Sequence, residues 1–155
     1  MDAKMLDGKV AIISGASYGM GKTMAELFAE EGAKVVMTAR GKERLDAAVK
    51  ELTDKGYEAV GVVADSESLD DVKRVIQTAM DVYGDLDIVI NNAGIGEQTI
   101  IDDTTDEWAL HVYNTNVMGP LRYIRESLKI FLPKNEGCII NISSVNGTRP
   151  FCGAA

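Results

Sequence analysis

The stretch VAIISGASYGMG at residues 10–21 combines a short apolar run with three glycines in the spacing GxxxGxG. The apolar run is nearly continuous, which is typical of a parallel strand covered on both faces. Beyond it, Gly15 is predicted to permit a tight turn and Gly19 to let the main chain approach a pyrophosphate, while Gly21 allows close packing of the following helix. The stretch therefore predicts a strand, a turn and a helix whose N-terminus faces an anion, with an ordinary glycine turn after a strand as the alternative.

Four more short apolar runs are predicted to be strands. The five predicted strands span residues 10–13, 35–37, 60–63, 86–90 and 138–142. The first four begin roughly 25 residues apart, which is the length of a strand, a crossover helix and two tight loops. The last interval is about twice as long and holds one helical region, which Gly119-Pro120 should kink or break. The pattern predicts an α/β protein with a parallel sheet, in a single domain spanning residues 1–155.

Apolar stripes and terminal residues indicate where the intervening helices lie. Apolar residues repeat at helical spacing after residue 44 and again after residue 71. Ser68 and Thr104 each precede an acidic residue by three positions, which is the spacing of a capping box and predicts two helix starts. Gly32 and Gly56 stand where two helices should end.

Composition limits the class of protein and its surroundings. With 155 residues, 46% hydrophobic and 26% charged, the chain has the balance of one globular domain. Sixteen basic and twenty-four acidic residues give a net charge of −8, which argues against nonspecific binding to nucleic acid. No apolar run has the length of a membrane span and the first residues do not resemble a signal peptide, so we predict a cytoplasmic protein without a membrane partner.

The two cysteines, Cys138 and Cys152, lack the spacing of a metal or redox motif. They are predicted to be buried or incidental thiols of a protein in a reducing compartment, and their pairing stays open. No metal site is predicted.

The glycine stretch resembles the signature Thr-Gly-x-x-x-Gly-x-Gly of the short-chain dehydrogenase/reductase family, with Ser14 in place of the threonine. Further segments match the family in the same order along the chain. They are Asp65 after the third strand, Asn91-Asn92-Ala93-Gly94 after the fourth, Asn116-Val117-x-Gly119 in the long helical region and Asn141-Ile142-Ser143-Ser144-Val145 at the end of the fifth. The chain is similar in this to hydroxysteroid dehydrogenases and 3-oxoacyl-carrier-protein reductases. The resemblance implies a doubly wound parallel sheet, the Rossmann fold, here with its first five strands and helices on both faces.

The resemblance also implies a nicotinamide dinucleotide along the carboxyl edge of the sheet. The residues expected to bind it are Gly15, Ser17, Tyr18, Gly19, Met20, Gly21, Arg40, Asp65, Ser66, Asn92, Ala93 and Gly94. Asp65 would contact the adenine, with an ordinary turn carboxylate as the alternative. Asn92 to Gly94 would line the ribose and nicotinamide side.

The end of the second strand favours NADP over NAD. An enzyme that selects NAD normally presents a carboxylate to the ribose 2′-hydroxyl near this point, and Ala39 offers none. Arg40 can instead bind a 2′-phosphate, with Ser17 as a second donor. Many NADP-preferring members of the family carry a basic residue where this chain has Tyr18, so NAD stays the alternative cofactor.

For catalysis the family uses an Asn, a Ser, a Tyr and a Lys. Asn116 matches the Asn that holds a water in the proton relay, and Ser144 matches the Ser that orients the substrate oxygen. The alternative role for Ser144 is a strand-end hydroxyl that bonds its own loop, whereas Ser143 is expected to bond main chain. The family's Tyr-x-x-x-Lys pair would lie beyond residue 155. His111 is expected to be surface or core filler rather than an acid or base.

Together these features predict an NADP-dependent oxidoreductase that transfers a hydride between nicotinamide and a ketone or secondary alcohol. Without the Tyr and Lys, residues 1–155 alone are expected to be inactive, and an uncovered fifth strand, with Ile139, Ile140 and Ile142, is expected to associate or aggregate. A longer protein carrying these residues is expected to form a homo-oligomer, a dimer or tetramer. The sequence does not choose among hydroxysteroids, sugars, polyols and 3-oxoacyl thioesters. A non-catalytic dinucleotide-binding or interaction module is the alternative, and a methyltransferase explains fewer of the motifs.

Overall fold

The computed structural model describes residues 4–97 and 100–149. Within these residues a five-stranded sheet has the order β3-β2-β1-β4-β5, and every neighbouring pair is parallel. The strands are β1 Val10–Ser14, β2 Lys34–Ala39, β3 Ala59–Val63, β4 Ile88–Asn91 and β5 Cys138–Asn141. Each predicted strand boundary lies within two residues of the observed one. The predicted doubly wound parallel sheet is confirmed.

The helices of the described residues lie between consecutive strands. They are α1 Gly19–Glu30, α2 Lys42–Asp54, α3 Leu69–Tyr83, α4 Asp106–Tyr113 and α5 Gly119–Lys134, with short 3₁₀ turns at Ile101–Asp103 and Val145–Gly147. A π-helical turn over Asn114–Met118 joins α4 to α5. Pro120 lies in the first turn of α5, directly after the π turn, and its nitrogen cannot donate a hydrogen bond to the preceding turn. The break predicted near Gly119-Pro120 is therefore a π turn within one continuous helical region.

Alternate residues of β1 contribute to two separate hydrophobic clusters, one on each face of the sheet. Val10 and Ile12 pack with side chains of α3 and α5. Ala11 and Ile13 pack with side chains of α1 and α2. All four residues are buried, which explains why the strand is apolar at every position instead of at every second one.

Three helix termini follow the signals in the sequence. The Ser68 hydroxyl accepts a hydrogen bond of 3.2 Å from the amide of Asp71 at the start of α3. Gly32 and Gly56 follow the ends of α1 and α2 with φ values of +92° and +84°. These left-handed conformations end a helix at little cost only when the residue is glycine.

The predicted start of α4 at Thr104 is wrong by one residue. Thr105 begins the helix, and its hydroxyl accepts a hydrogen bond of 3.2 Å from the amide of Trp108. Thr104 belongs to the preceding turn, where its hydroxyl donates to the carbonyl of Ile100 at 3.1 Å. Two adjacent threonines offer equivalent caps in the sequence, and the preceding 3₁₀ turn selects the second of them.

A buried carboxylate holds the amino ends of β1 and β4 together. Asp87 accepts hydrogen bonds from the amide of Val10 at 2.9 Å and from the ammonium of Lys134 at 2.7 Å. Lys9 lies 3.3 Å from the same carboxylate. Burial alone would raise the pKa of Asp87, but these hydrogen bonds outweigh it and hold the pKa below its usual range. The network fixes α5, which carries Lys134, at the edge of the sheet opposite the carboxyl ends of the strands.

β5 is the least buried strand of the sheet. Ile140 and Ile142 are each 39% exposed, and Ile139 is half-buried. Cys138 is exposed as well, so of the two alternatives expected for it, a buried or an incidental thiol, the structure has the second, because the edge strand leaves its side chain open. Cys152, and with it the question of pairing, lies outside the described residues.

None of the helices in residues 4–97 and 100–149 is long and apolar enough to cross a membrane. The same residues hold no group of His, Cys, Asp and Glu side chains arranged to bind a metal ion.

Candidate functional site

A cavity of about 470 Å³ opens at the carboxyl edge of the sheet. It is lined by the turn after β1, the end of β2 and the segments after β3 and β4, where the strand order reverses around β1. Ligands of open α/β sheets bind in this kind of crevice. All twelve residues predicted to bind the cofactor, from Gly15 to Gly94, line the cavity. The predicted catalytic residues Asn116 and Ser144 are not among its lining residues in the described part of the chain.

The glycine turn brings the start of α1 against the end of β4. Gly15 has a φ of +67°, and a Cβ there would lie 2.9 Å from the Cα of Ala93. A Cβ on Gly21 would lie 2.2 Å from the carbonyl oxygen of Gly15 and 2.5 Å from Nδ2 of Asn92. Gly21 therefore lets the first turn of α1 pack directly on the glycine turn.

The N-terminus of α1 is open towards the cavity. Tyr18 is the N-cap residue and makes no side-chain hydrogen bond to the helix, and the first turn contains no acidic residue. In contrast, α3 and α4 have the capping hydroxyls of Ser68 and Thr105 and acidic residues in their first turns. The amides and the dipole at the start of α1 therefore favour an anion in the cavity.

Ser14 joins the glycine turn to the segment after β4. Its hydroxyl accepts hydrogen bonds from the amides of Asn92 and Ala93, both at 3.0 Å, and donates to the carbonyl of Ile90 at 3.3 Å. The Asn92 side chain donates in return to the carbonyls of Ser14 at 2.9 Å and Gly15 at 3.2 Å. We call this set of hydrogen bonds the Ser14–Asn92 clasp. It uses the hydroxyl that serine shares with the threonine of the family signature.

We expect Ser14→Ala to lower the free energy of unfolding by about 2 kcal/mol, because two amides lose their acceptor at a buried position. Ser14→Thr keeps the hydroxyl and is the matched control. Urea unfolding followed by the fluorescence of Trp108 measures both variants. If the alanine variant is as stable as the threonine variant, the clasp does not stabilise the fold.

The end of β2 presents Ala39 and Arg40 to the cavity. Arg40 is exposed and makes no hydrogen bond or ion pair with any other described residue. Arg44, which the sequence analysis missed, lines the same part of the cavity, and its guanidinium carbon lies 5.8 Å from the centre of the Tyr18 ring. The available signal was its position four residues after Arg40, at the start of a predicted helix.

Asp65 combines features of both roles considered for it. It lines the cavity, and its carboxylate also accepts a hydrogen bond of 3.0 Å from the amide of Glu67, as a turn carboxylate does. Its own amide donates to Asp71 at 2.9 Å. That hydrogen bond, together with Arg74, lowers the pKa of Asp71. The carboxylate of Asp71 thus fixes the position at which Asp65 meets the cavity.

Asn116 lies in the π turn and holds the segment after β4. Its Oδ1 accepts from the amide of Ile95 at 2.8 Å, and its Nδ2 donates to the carbonyl of the same residue at 2.7 Å. Ile95 lines the cavity and was also missed from the sequence. The expected irregular helix at Asn116 is observed as the π turn, and the side chain positions a cavity wall.

The two serines after β5 differ in their contacts. The Ser144 hydroxyl accepts a hydrogen bond of 3.2 Å from the amide of Asn146 at the start of a 3₁₀ turn. Ser143 was expected to bond main chain, but its hydroxyl has no hydrogen bond within residues 4–97 and 100–149. That expectation is wrong because the turn begins at Ser144, whose side chain is the one placed to cap it.

His111 has a specific partner, which corrects its interpretation as filler. Its Nδ1 lies 2.6 Å from Oε1 of Glu67, and the hydroxyl of Thr115 donates to the same oxygen at 2.6 Å. The ring of Trp108 packs beside the imidazole, with 5.6 Å between ring centres. Glu67 therefore ties the segment after β3 to α4 and to the π turn. Thr115 lines the cavity and had no recognisable signal in the sequence, because its partner is 48 residues away.

Comparison with known proteins finds a family model, described as short chain dehydrogenase, that matches residues 9–155. An uncharacterized oxidoreductase of Bacillus subtilis, YxnA, is 37% identical over 147 residues, which is 94% of this chain and 41% of that protein. The 3-oxoacyl-[acyl-carrier-protein] reductase FabG of Vibrio cholerae is 37% identical over 150 residues, which is 97% of this chain and 60% of that protein. The chain thus spans 41% to 60% of the length of these two relatives.

Solved structures with the same fold include a short chain dehydrogenase from Mycobacterium smegmatis. It is 34% identical with a TM-score of 0.94, and the match covers 97% of this chain and 64% of that one. A metagenomic short-chain oxidoreductase, solved in complex with NADP, is 31% identical with a TM-score of 0.89, and the match covers 96% of this chain and 68% of that one.

Proposed function

The chain belongs to the short-chain dehydrogenase family, and we propose that it binds NADP for hydride transfer between the nicotinamide and a ketone or secondary alcohol. The observation that carries the proposal is the meeting of two anion-binding features in one cavity. The uncapped start of α1 suits a pyrophosphate, and the unpaired Arg40 suits a 2′-phosphate. The metagenomic relative solved with NADP supports the choice of cofactor.

The lining of the cavity divides the proposed cofactor site into two parts. Asp65 and Ser66, after β3, would contact the adenine. Asn92 to Gly94, after β4, would contact the ribose and nicotinamide. When bound, the reduced cofactor supplies the hydride. The protein would bind and orient it.

Two residues of this chain are proposed to act on the substrate side. Asn116 would hold a water in the proton relay, at a π turn that leaves backbone groups outside the regular helical pattern. Ser144 would orient the substrate oxygen by donating its hydroxyl hydrogen to it, while the hydroxyl oxygen keeps the hydrogen bond that it accepts from the Asn146 amide. The resemblance to the family implies that a Tyr and a Lys, which would lie beyond residue 155, complete the proton transfer.

The same proposal covers the setting of the reaction. Residues 1–155 act as a single dinucleotide-binding domain of a cytoplasmic protein. By its name, the Vibrio relative reduces a 3-oxoacyl group on a carrier protein, which supports a ketone substrate without selecting one. Exposed apolar side chains along α4, the π turn and α5 support association into a dimer or tetramer; they are Leu110, Tyr113, Val117 and Leu121.

We expect Arg40→Asp to weaken NADP binding at least tenfold while NAD binding stays the same or improves, since about 1.4 kcal/mol corresponds to one decade of affinity. The aspartate would repel the 2′-phosphate but accept a hydrogen bond from the 2′-hydroxyl of NAD. Calorimetric titration of the purified protein with each cofactor measures the change.

The control is Arg125→Asp, which changes the net charge equally on α5, away from the cavity lining. It should leave both affinities within about twofold, as expected for a screened surface charge. Equal losses of NADP and NAD in Arg40→Asp would contradict the selectivity and leave Arg40 a structural residue. A wild-type protein that binds neither cofactor would contradict the proposed function.

A further inference from the structure

Arg44 is a cation without an acidic partner. Lys42, two residues earlier, pairs with Asp46, and Lys50 pairs with Asp54, each along α2. Three and four residues after Arg44 stand alanines 47 and 48, so the helix offers no carboxylate at those positions. Among the described residues, no other side chain supplies one. Within the described residues, the one charge or ring interaction of Arg44 is with the ring of Tyr18.

The position of Arg44 is unfavourable for the helix that carries it. The side chain stands in the first turn of α2, where the positive end of the helix dipole repels a cation. The N-cap residue of this helix is Gly41, which supplies no side-chain cap. Glu43 stands in the same turn but forms no ion pair with Arg44 in the described structure, so a bound anion beside this turn would still improve the electrostatics of Arg44.

Tyr18 is a surface residue whose ring supports another side chain, and it does not belong to the hydrophobic core. Its side chain is 67% exposed even though it stands between β1 and α1. The Arg44 guanidinium lies over its ring at 5.8 Å, so two lining residues of the cavity connect the start of α1 with the start of α2. A guanidinium stacked on a ring keeps its N–H donors free at the edge, where they can form paired hydrogen bonds to a phosphate.

We propose that Arg44, stacked on Tyr18, is a second determinant of NADP selectivity that binds the 2′-phosphate together with Arg40. This inference rests on the proposed function. Both arginines line the same cavity and neither has an acidic partner in the described residues, so two cations face a dianionic group. Among the described residues that line the cavity, the acidic one is Asp65, whose carboxylate accepts a hydrogen bond from the amide of Glu67. Tyr18 itself carries no positive charge. Arg44 of α2 supplies the positive charge beside it.

The test compares Arg44→Gln, Tyr18→Leu and the double variant in calorimetric titrations with NADP, NAD and the fragment 2′,5′-ADP. Arg44→Gln should weaken NADP and 2′,5′-ADP about fivefold or more, with NAD within about twofold, as expected for a partly exposed charge-assisted contact. Tyr18→Leu should weaken the same two ligands less. The double variant should be no weaker than Arg44→Gln alone, because the ring acts through the guanidinium.

Arg125→Gln is the matched control and should change nothing, and circular dichroism checks that every variant is folded. Unchanged NADP binding in Arg44→Gln would overturn the inference. Equal losses of NADP and NAD would also overturn it, because Arg44 would then contact a part that the two cofactors share. If the wild type binds NADP and Arg40→Asp loses it selectively while Arg44→Gln does not, only this inference fails. If the wild type binds neither NADP nor 2′,5′-ADP, the proposed function fails as well.

Discussion

Gly21→Ala should reduce the affinity for NADP and for NAD alike by about 100-fold or more, because the added methyl group cannot be accommodated beside main chain. Its Cβ would lie 2.2 Å from the carbonyl oxygen of Gly15, which belongs to the turn that faces the proposed pyrophosphate. Relief requires α1 to move away from that turn or the turn to open, and either movement displaces the amides that would bind the anion. We also expect a loss of about 2 kcal/mol in the free energy of unfolding, a typical cost of overpacking. Calorimetric titration and urea unfolding measure the two effects.

Gly41→Ala is the matched control for this substitution. Gly41 lines the same cavity, has an ordinary φ of −87°, and has no atom within 4 Å of an added Cβ. Its affinities should remain within about twofold of wild type because nothing has to move. Wild-type binding by Gly21→Ala would mean that the glycine turn does not hold the dinucleotide.

Ser144→Ala should lower turnover by about 100-fold or more in a protein that extends through the family's Tyr-x-x-x-Lys pair, because the hydroxyl would be used on the reacting oxygen. The affinity for NADP should hardly change, since Ser144 does not line the cavity in the described structure. Oxidation of NADPH by a panel of ketones measures turnover, and calorimetric titration measures affinity.

Ser143→Ala is the neighbouring control and should have a far smaller effect on turnover. Loss of the hydrogen bond from the Asn146 amide to Ser144 also weakens the local turn, so unfolding of both variants is measured alongside. A large effect at Ser143 and a small one at Ser144 would show that the assignment of the catalytic serine is off by one residue.

The architecture could be predicted from the sequence because each pattern that determines it lies within one short segment. The continuous apolar run at residues 10–13 requires cover on both faces, and β1 has it. Gly32 and Gly56 end helices through their own backbone conformation. The residues that the family resemblance assigned to the cofactor line one cavity, because parallel strands bring their carboxyl ends to one edge and the motifs that follow the strands meet there.

The contacts between segments that are distant in the chain could not be predicted from the sequence. Glu67 meets Thr115 across 48 residues, and no periodicity or spacing relates the two. The sequence predicts that Arg44 lies in a helix. Its stacking on Tyr18 depends on the distance between the starts of α1 and α2 in the folded protein. One short 3₁₀ turn decides whether Thr104 or Thr105 caps α4. Side-chain pairing of this kind follows from the assembled fold rather than from local propensity.

The Ser14–Asn92 clasp joins residues that are 78 positions apart in the chain. Bringing such distant segments together has a large loop-closure cost, so pairing of β1 with β4 belongs to the slow, non-local part of folding. β1 and β2 can pair earlier because their connection is short, but they enclose only part of the cavity. Before β4 joins the sheet, the glycine turn lacks its contacts with Asn92 and Ala93. Binding of the proposed dinucleotide would therefore require that the central strands have assembled, and it would stabilise only that assembled state.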